Sequence, residues 1–290
     1  MIMRDDFAAF ILTHGRPDNV KTYDTLRHRG YTGAIYLIVD DQDESLEDYR
    51  ARYGAEVIVF DKAKEAETTD RGDNFESLGT VLFARNACFK IARQLGLQYF
   101  IELDDDYNLF RYRFDSQYRY WAKQLYQLDI VFDSMVEFLK SAPIATICLA
   151  QAGDFIGGSQ NKYAKAITLT RKAMNSFVCD VDRPIDFLGR LNDDVNTYVV
   201  RGREGLVMFT TTQVTLNQAP TQQYGGGLTE AYLEAGTYVK SFYTVMMHPS
   251  AARLVTMGWQ YRRIHHAIDW NNTVPKILRE DTRRPDGQTD

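Results

Sequence analysis

The chain is poor in cysteine: Cys88, Cys148 and Cys179 are odd in number, widely spaced and set in apolar segments. That excludes a disulfide frame or a thiolate zinc site and predicts reduced core residues of a cytoplasmic protein. No apolar run approaches the roughly 20 residues of a membrane span. The opening Met1-Ile2-Met3-Arg4-Asp5-Asp6 turns acidic at once and runs into a strand, unlike a signal peptide. Positive charge is also in deficit. A formal net charge of −5 argues against a protein that coats nucleic acid indiscriminately, though not against a local basic face. Two phosphate-binding signatures are missing as well. There is no Gly-x-Gly-x-x-Gly after the first strand and no Walker A lysine loop, which disfavours dinucleotide dehydrogenases and P-loop NTPases.

What is present has the make-up of an ordinary globular protein: 290 residues, 44% hydrophobic and 25% charged, enough for one large α/β unit with insertions. Residues 7–13, 34–39, 57–60 and 99–103 are near-continuous apolar runs of strand length separated by helical patterns. Such runs predict buried parallel strands in βαβ units. Residues 19–29 carry Val20, Tyr23 and Leu26 at helical spacing, with Asp18 the expected N-cap. A longer helix is expected from Val81 to Leu95, closed by Gly96. Another carries Leu125, Leu128, Val131, Phe132, Met135 and Leu139, and Pro143 ends it before a strand over 144–150. Residues 166–170, 206–212 and 213–217 read as strands and 230–241 as a helix.

The strongest chemical signal is Leu103-Asp104-Asp105-Asp106, directly after Tyr99-Phe100-Ile101. Successive carboxylates at the end of a buried strand raise one another's pKa unless a cation neutralises them, and Mg²⁺ or Mn²⁺ favours carboxylate and phosphate oxygens. A strand ending in Asp-x-Asp reads as the meeting place of a metal and a diphosphate; a solvated acidic turn is the alternative. Ligands of open α/β sheets bind beyond the carboxyl ends of the strands. There the first strand ends in Thr13-His14-Gly15-Arg16-Pro17 and the second in Asp40-Asp41. A glycine turn with an arginine, a ribose-binding carboxylate and a metal site describe a nucleoside diphosphate pocket, toward which Arg85 and Asn86 are expected to turn.

The second half offers acceptor-side candidates. Asp193-Asp194 opens a helix, either as a cap or with one carboxylate facing an acceptor as a base. Gly157-Gly158 lies in a glycine-rich loop that lets a ligand approach closely. Arg111, Arg113, Arg119 and Lys123 interleave with Tyr112, Phe114, Tyr118, Tyr120 and Trp121, and Arg262-Arg263-Ile264-His265-His266 follows Tyr261. Basic residues among aromatics suit a phosphate backbone and unstacked bases, or form a solvated face of snorkelling side chains. Tyr224-Gly225-Gly226-Gly227 reads equally as a lid, a helix start or a surface loop. His248 ends an apolar run, where a lone histidine is usually structural.

Taken in order, Thr13-His14-Gly15-Arg16-Pro17, Asp40-Asp41, the Asp-x-Asp and the late His248 resemble GT-A fold glycosyltransferases that use nucleotide sugars, over residues 7–250. More narrowly, with Gly202-Arg203-Glu204-Gly205 and Tyr224-Gly225-Gly226-Gly227, the chain looks like phage-encoded glycosyltransferases associated with TET/JBP-type hydroxylases. That family is thought to glycosylate 5-hydroxymethylated pyrimidines in DNA. The resemblance implies an open, mostly parallel α/β sheet flanked by helices, with a mixed acceptor-side second half. It implies one catalytic domain over 1–250, with a nucleotide-sugar half (1–110) and an acceptor half (111–250), and an extension over 251–290 whose end is disordered. If phage-encoded, the protein would work in the host cytoplasm.

The same resemblance implies a hexosyltransferase using Mn²⁺ or Mg²⁺ and a nucleotide-sugar donor, first of all a UDP-sugar. Thr13, His14, Gly15, Arg16, Arg85, Asn86 and Asp105 would line the donor site, and Asp40 or Asp41 would hold ribose or uracil. Asp104 would contact sugar or ribose beside the metal, Asp106 would bind the metal and His248 would complete its shell; Asp105 leaves the register of the acidic pair open. Asp194, or failing it Asp193, would deprotonate the acceptor hydroxyl if the enzyme inverts. Arg111, Arg113, Arg119, Lys123, Gly157, Gly158, Arg262 and Arg263 would face DNA. Two other readings stand beside this one: a glycosyltransferase for a glycan, lipid or protein, and a catalytically silent nucleotide-sugar or DNA-binding module on the same fold.

Overall fold

The structure, a computed structural model, describes residues 3–74, 77–218, 237–258 and 262–282. Its first half is built as the apolar runs predict. Strands β1 (Phe7–Leu12), β2 (Ala34–Asp40), β3 (Val57–Phe60) and β4 (Tyr99–Asp104) pair in parallel in the order β3-β2-β1-β4. Helices α1 (Lys21–His28), α2 (Leu46–Tyr53), α3 (Lys62–Thr68) and α4 (Leu82–Gln94) lie in the connections. Every residue of β1 is buried because both faces of the sheet are covered. Phe7, Ala9 and Ile11 join a core with Leu128, Phe132 and Leu139 of α5 (Leu128–Ser141). Ala8, Phe10 and Leu12 join the opposite core with Phe83, Cys88 and Ile91 of α4. Period-two alternation along one strand thus feeds two hydrophobic layers. All three cysteines are buried and free. Gly96, with φ +71°, closes α4 in the left-handed conformation that glycine adopts without strain.

The second half is mixed. Strands β5 (Tyr107–Phe114), β6 (Tyr120–Gln124), β7 (Thr146–Gln151), β8 (Ser176–Asp180) and β9 (Met208–Gln218) extend the sheet to β3-β2-β1-β4-β8-β7-β9-β5-β6. β8 runs antiparallel between β4 and β7, β9 returns parallel to β7, and β5 is antiparallel to both β9 and β6. Only β5 and β8 oppose the common direction. Beyond the short α6 (Lys162–Lys165), α7 (Asp193–Arg203) adds Val195, Tyr198 and Val199 to the α4-side core. α8 (Thr237–Met247) leads into a two-stranded antiparallel ribbon of β10 (Ala252–Met257) and β11 (Arg263–Ile268).

Several local expectations need correction. β5, β6 and β8 were not expected as strands, and residues 166–170 form none; Ile167 and Leu169 there are exposed. The two short strands expected over 206–217 are one continuous β9. Asp18 does not cap α1. Val20 stands at that position without a side-chain cap, while Asp18 sits in the preceding 3₁₀ turn and accepts from Arg52 at 2.8 Å. The helix expected over 230–241 is seen from Thr237 onward, and Tyr224-Gly225-Gly226-Gly227, Tyr261 and the tail from Arg283 lie outside the described residues. Among the described residues no helix is long and apolar enough to cross a membrane.

Candidate active site

The carboxyl ends of β1 and β2 form a tightly wired polar pocket. Gly15 takes φ +68°, which turns its N–H onto Asp43 Oδ2 at 2.7 Å. His14 Nδ1 lies 2.8 Å from Asp40 Oδ2 and 3.3 Å from Asp43 Oδ2. The nearly buried Lys62 ammonium is 3.1 Å from Asp40 Oδ1, and Asp41 accepts the Lys62 N–H at 2.9 Å. The hydrogen bond to Asp40 raises the His14 pKa against the cost of burial. Burial opposes ionisation of Asp40, but His14 and Lys62 outweigh it and hold the carboxyl below its usual range. Thr13 Oγ1 donates to Asp105 Oδ2 at 2.8 Å, and Tyr49 hydroxyl sits 2.8 Å from Thr13 Oγ1 and accepts the Arg16 N–H at 2.9 Å. Arg16 Nη1 reaches within 3.5 Å of Asp105 Oδ1, joining this pocket to the acidic triplet.

The triplet at the end of β4 is wired differently. Arg85, buried in α4, is shared among Asp193 Oδ2 at 2.8 Å, Asp104 Oδ1 at 3.2 Å and Glu102 Oε2 at 3.4 Å. Its guanidinium also lies over the rings of Phe177 and Phe187. One cation therefore serves three carboxylates, with Asp194 close by. Burial works against the Arg85 charge, yet the surrounding acids more than compensate and keep it protonated. Burial pushes Glu102 up to about 8, and its Oε1 has no hydrogen-bond partner. Asp104 and Asp105 are raised by burial against the opposing pull of Arg85 and Arg16 respectively. Asp106 is raised to about 7 by burial and by the charges of Asp104 and Asp105; its Oδ1 is buried without a partner.

Across from the triplet, Asn192 precedes α7 at φ +64°, and its side-chain amide donates to Thr244 Oγ1 of α8 at 2.8 Å. It makes no side-chain cap, nor does Asp193, which is held by Arg85. Asp194 accepts the Val195 N–H at 2.7 Å, and burial followed by the charge of Asp193 raises it to about 6. Asn86 joins Thr69, through its side chain, to the Phe187 backbone, which it contacts with both amide groups. His248 follows α8 with Nδ1 3.1 Å from Ser250 Oγ and a buried, unpartnered Nε2. It makes no hydrogen bond or ion pair to Asp104 or Asp106, and no group of three His, Cys, Asp or Glu among the described residues converges in a metal-holding arrangement.

The remaining candidates fall on two surfaces. Arg113 is buried under the β5–β6 hairpin, donating to Thr215 Oγ1 at 2.8 Å and to Tyr120 hydroxyl at 3.3 Å, with its guanidinium over Phe155. Arg111 is half-buried on β5; Arg119 is exposed beside Asp115, and Lys123 lies 5.3 Å above Trp121. Gly157 and Gly158, both at positive φ, bring the loop after β7 onto Tyr120 of this hairpin. Arg262 and Arg263 are exposed at the separate β10–β11 ribbon.

Asp43, Tyr49, Lys62 and Glu102 were missed by sequence reasoning. Glu102 had a signal, a lone charge inside an apolar strand; Asp43 merely extends Asp40-Asp41, and Tyr49 and Lys62 had none.

Ligands of open α/β sheets bind beyond the carboxyl ends of the strands, where this acid-rich centre lies. The profile of the TET-Associated Glycosyltransferase family matches residues 7–227, most of the chain; the chain belongs to that family and is a glycosyltransferase. No curated protein sequence matches it. Among solved structures it is similar to the mannosyltransferase PcManGT from Pyrobaculum calidifontis in complex with GDP-Man and Mn²⁺ (11% identity, 85% of this chain and 74% of that one, TM-score 0.45). It is also similar to glucosyl-3-phosphoglycerate synthase from Mycobacterium tuberculosis in complex with Mn²⁺, UDP and phosphoglyceric acid (8% identity, 91% and 87%, TM-score 0.46). A third similarity is to S. aureus TarS (9% identity, 74% and 36%, TM-score 0.45).

Proposed function

We propose that the chain is a metal-dependent, GT-A type glycosyltransferase that moves a sugar from a nucleoside diphosphate donor to 5-hydroxymethylated pyrimidines in DNA. The observation that carries this reading is the acidic triplet that shares Arg16 and Arg85, above all its Asp106 Oδ1, which has no partner. Magnesium-like cations are characteristically held by one or two carboxylates plus substrate phosphates, so Asp104 and Asp106 fit such a site without a third protein ligand. His248 has a buried nitrogen without a partner but makes no hydrogen bond or ion pair to Asp104 or Asp106, so the metal shell is assigned without it. A bound divalent cation would neutralise charge on the departing diphosphate.

The chain's own residues have distinct tasks. His14, Asp40, Asp43 and Lys62 form a mutually paired polar pocket suited to a ribose or base edge. Asp194 accepts the proton of the acceptor hydroxymethyl group as its oxygen attacks the anomeric carbon, a carboxylate near pKa 6 being largely ionised and still basic at neutral pH. Arg85 holds Asp193, and with it the start of α7, against β4. The family's association with TET hydroxylases supports a hydroxymethylated base as acceptor. The exposed Tyr118 and Trp121, with Arg119 and Lys123, supply aromatic faces and positive charge for DNA whose target base leaves the stack.

The test is nucleoside diphosphate release from UDP-glucose and related donors with Mn²⁺, with and without DNA containing 5-hydroxymethylcytosine. Release stimulated by the modified DNA, with sugar appearing on the base, is expected. Metal-dependent release indifferent to that DNA would overturn the acceptor and leave the donor chemistry standing.

A further inference from the structure

The helix that carries Asp193 and Asp194 is held along its length by chain beyond residue 227, where the family match ends. At its start Asn192 takes φ +64°, a left-handed conformation that is uncommon outside glycine and best tolerated by asparagine and aspartate. The side-chain amide of this buried residue spans two elements of the later chain. It donates to Thr244 Oγ1 of α8 at 2.8 Å and lies 3.3 Å from His266 Nδ1 of β11. Midway along α7, Tyr198 stacks on Trp270, with ring centroids 5.7 Å apart and planes at 17°. Near the end, Gly202 admits the backbone of Thr273, whose carbonyl oxygen lies 2.3 Å from where a Cβ would stand. Just past the helix, Gly205 accepts the Arg279 N–H at 3.2 Å. From Asn192 to Gly202 these contacts span about 15 Å, at about 1.5 Å of rise per residue.

Asp194 accepts the N–H of Val195 in its own helix, so its place follows that of α7. Arg85 ties the start of α7 to β4 through Asp193 and Asp104. We propose that α8, the β10–β11 ribbon and the turns through Arg279 are a brace for the acceptor base. Thr244, acting through Asn192, is its positioning residue, and Trp270 and Thr273 hold the rest of the helix. The proposal rests on the reading of Asp194 as that base. A strained backbone whose side chain is engaged by two distant elements is the kind of feature that gathers at working sites. Misplacing a reacting group by about 1 Å can cost on the order of a hundredfold in rate. The brace therefore acts on the transfer step and leaves donor binding alone.

Thr244→Val keeps the shape of this buried side chain and removes the acceptor for Asn192, whereas Thr244→Ser keeps the hydroxyl. Gly202→Ala sets a methyl against the Thr273 carbonyl while favouring the helix itself. Hydrogen exchange over residues 193–199, read without substrate, is compared with exchange over β1 to β4. It should be about tenfold faster in Thr244→Val and Gly202→Ala, with β1 to β4 unchanged. Transfer from UDP-glucose to 5-hydroxymethylcytosine DNA with Mn²⁺ gives the second readout. The two variants should lose about tenfold or more in kcat, while KM for the donor and inhibition by UDP stay within about twofold. Thr244→Ser should restore kcat to within about threefold of native, a rescue that follows the hydroxyl. Native exchange and native kcat in both variants, beside an inactive Asp194→Asn, would overturn the brace and leave the base in place. Unimpaired transfer by Asp194→Asn would remove the base, and the proposal with it. Loss of UDP inhibition together with transfer in both variants would make the segment a general support of the fold, which also overturns the proposal.

Discussion

Two acidic segments end neighbouring parts of the same sheet, and they behave in opposite ways. Asp40-Asp41-Gln42-Asp43 after β2 is surrounded by donors: His14, Lys62 and the backbone N–H groups of Gly15 and Ser45. Asp104-Asp105-Asp106 after β4 shares Arg16 and Arg85, and Arg85 is also claimed by Glu102 and Asp193. The first segment has an Asp40 held below the usual carboxylate range, while all three acids of the second are held above it. A cluster whose buried carboxylates are each met by donors is part of the scaffold that shapes a ligand. A cluster whose cation is shared with further carboxylates and whose Asp106 Oδ1 has no partner is unfinished and gains most from a cation supplied with the substrate. An acidic run in the sequence does not distinguish the two; the cations folded against it do.

The largest expected effect comes from neutralising one acid in each segment. Asp106→Asn should reduce transfer by at least about a hundredfold, the scale on which single electrostatic groups act at a transition state. It should leave the metal-free protein as stable as before or slightly more so, since a buried charge with one unpartnered oxygen is removed. Asp40→Asn should do the reverse, with a modest loss of activity and about 1–3 kcal/mol of stability lost as His14 and Lys62 lose their partner. Denaturant unfolding and turnover measured on both variants check the contrast. Near-native turnover in Asp106→Asn, or equal destabilisation by the two substitutions, would remove the distinction between the segments.

Asp194→Asn comes next. Losing a general base typically costs about 10²–10⁴-fold, and binding of the donor should survive. In the native protein kcat/KM should rise with pH through about 6 as Asp194 loses its proton, and that limb should be missing from whatever activity the variant retains. A flat native profile from pH 5 to 7, or unimpaired transfer by Asp194→Asn, would point to Asp193 or to a mechanism without a base.

The contrast between the segments was half legible in the sequence. β1 to β4 and α4 could be read because parallel strands buried on both faces are near-continuous apolar runs, and the acids stand where those runs stop. β5 was missed although Phe110, Tyr112 and Phe114 alternate with Arg111 and Arg113; the arginines suggest a surface loop until Arg113 is seen buried against Thr215 and Phe155. β8 is only five residues long and is a strand because β4 and β7 flank it, a tertiary fact with no local signature. Residues 166–170 show the converse, strand-like letters with no partner. At the site, the residue types at the strand ends were readable. The sharing of Arg85 was not, because it joins α4, β4 and α7 across more than a hundred positions of sequence.

The smallest effect sharpens the comparison most, because it measures the unfinished charge directly. Asp106 holds its proton up to about pH 7, against about 3.9 for an unperturbed aspartate. In the metal-free protein this raised value contributes stability below about pH 4 that is lost as pH rises through 7, since the folded state binds the proton more tightly than the unfolded chain does. A cation must displace that proton. Mn²⁺, measured with UDP present, should therefore bind about tenfold more weakly at pH 6 than at pH 8, about 1.4 kcal/mol. With roughly 2–4 °C of melting temperature per kcal/mol in a protein of this size class, the metal-induced rise should be about 3 °C or more larger at the higher pH. Asp40→Asn should preserve this pH dependence and Asp106→Asn should abolish it. A Mn²⁺ effect of equal size at both pH values in the native protein would mean that the charge at the end of β4 is not what the metal answers.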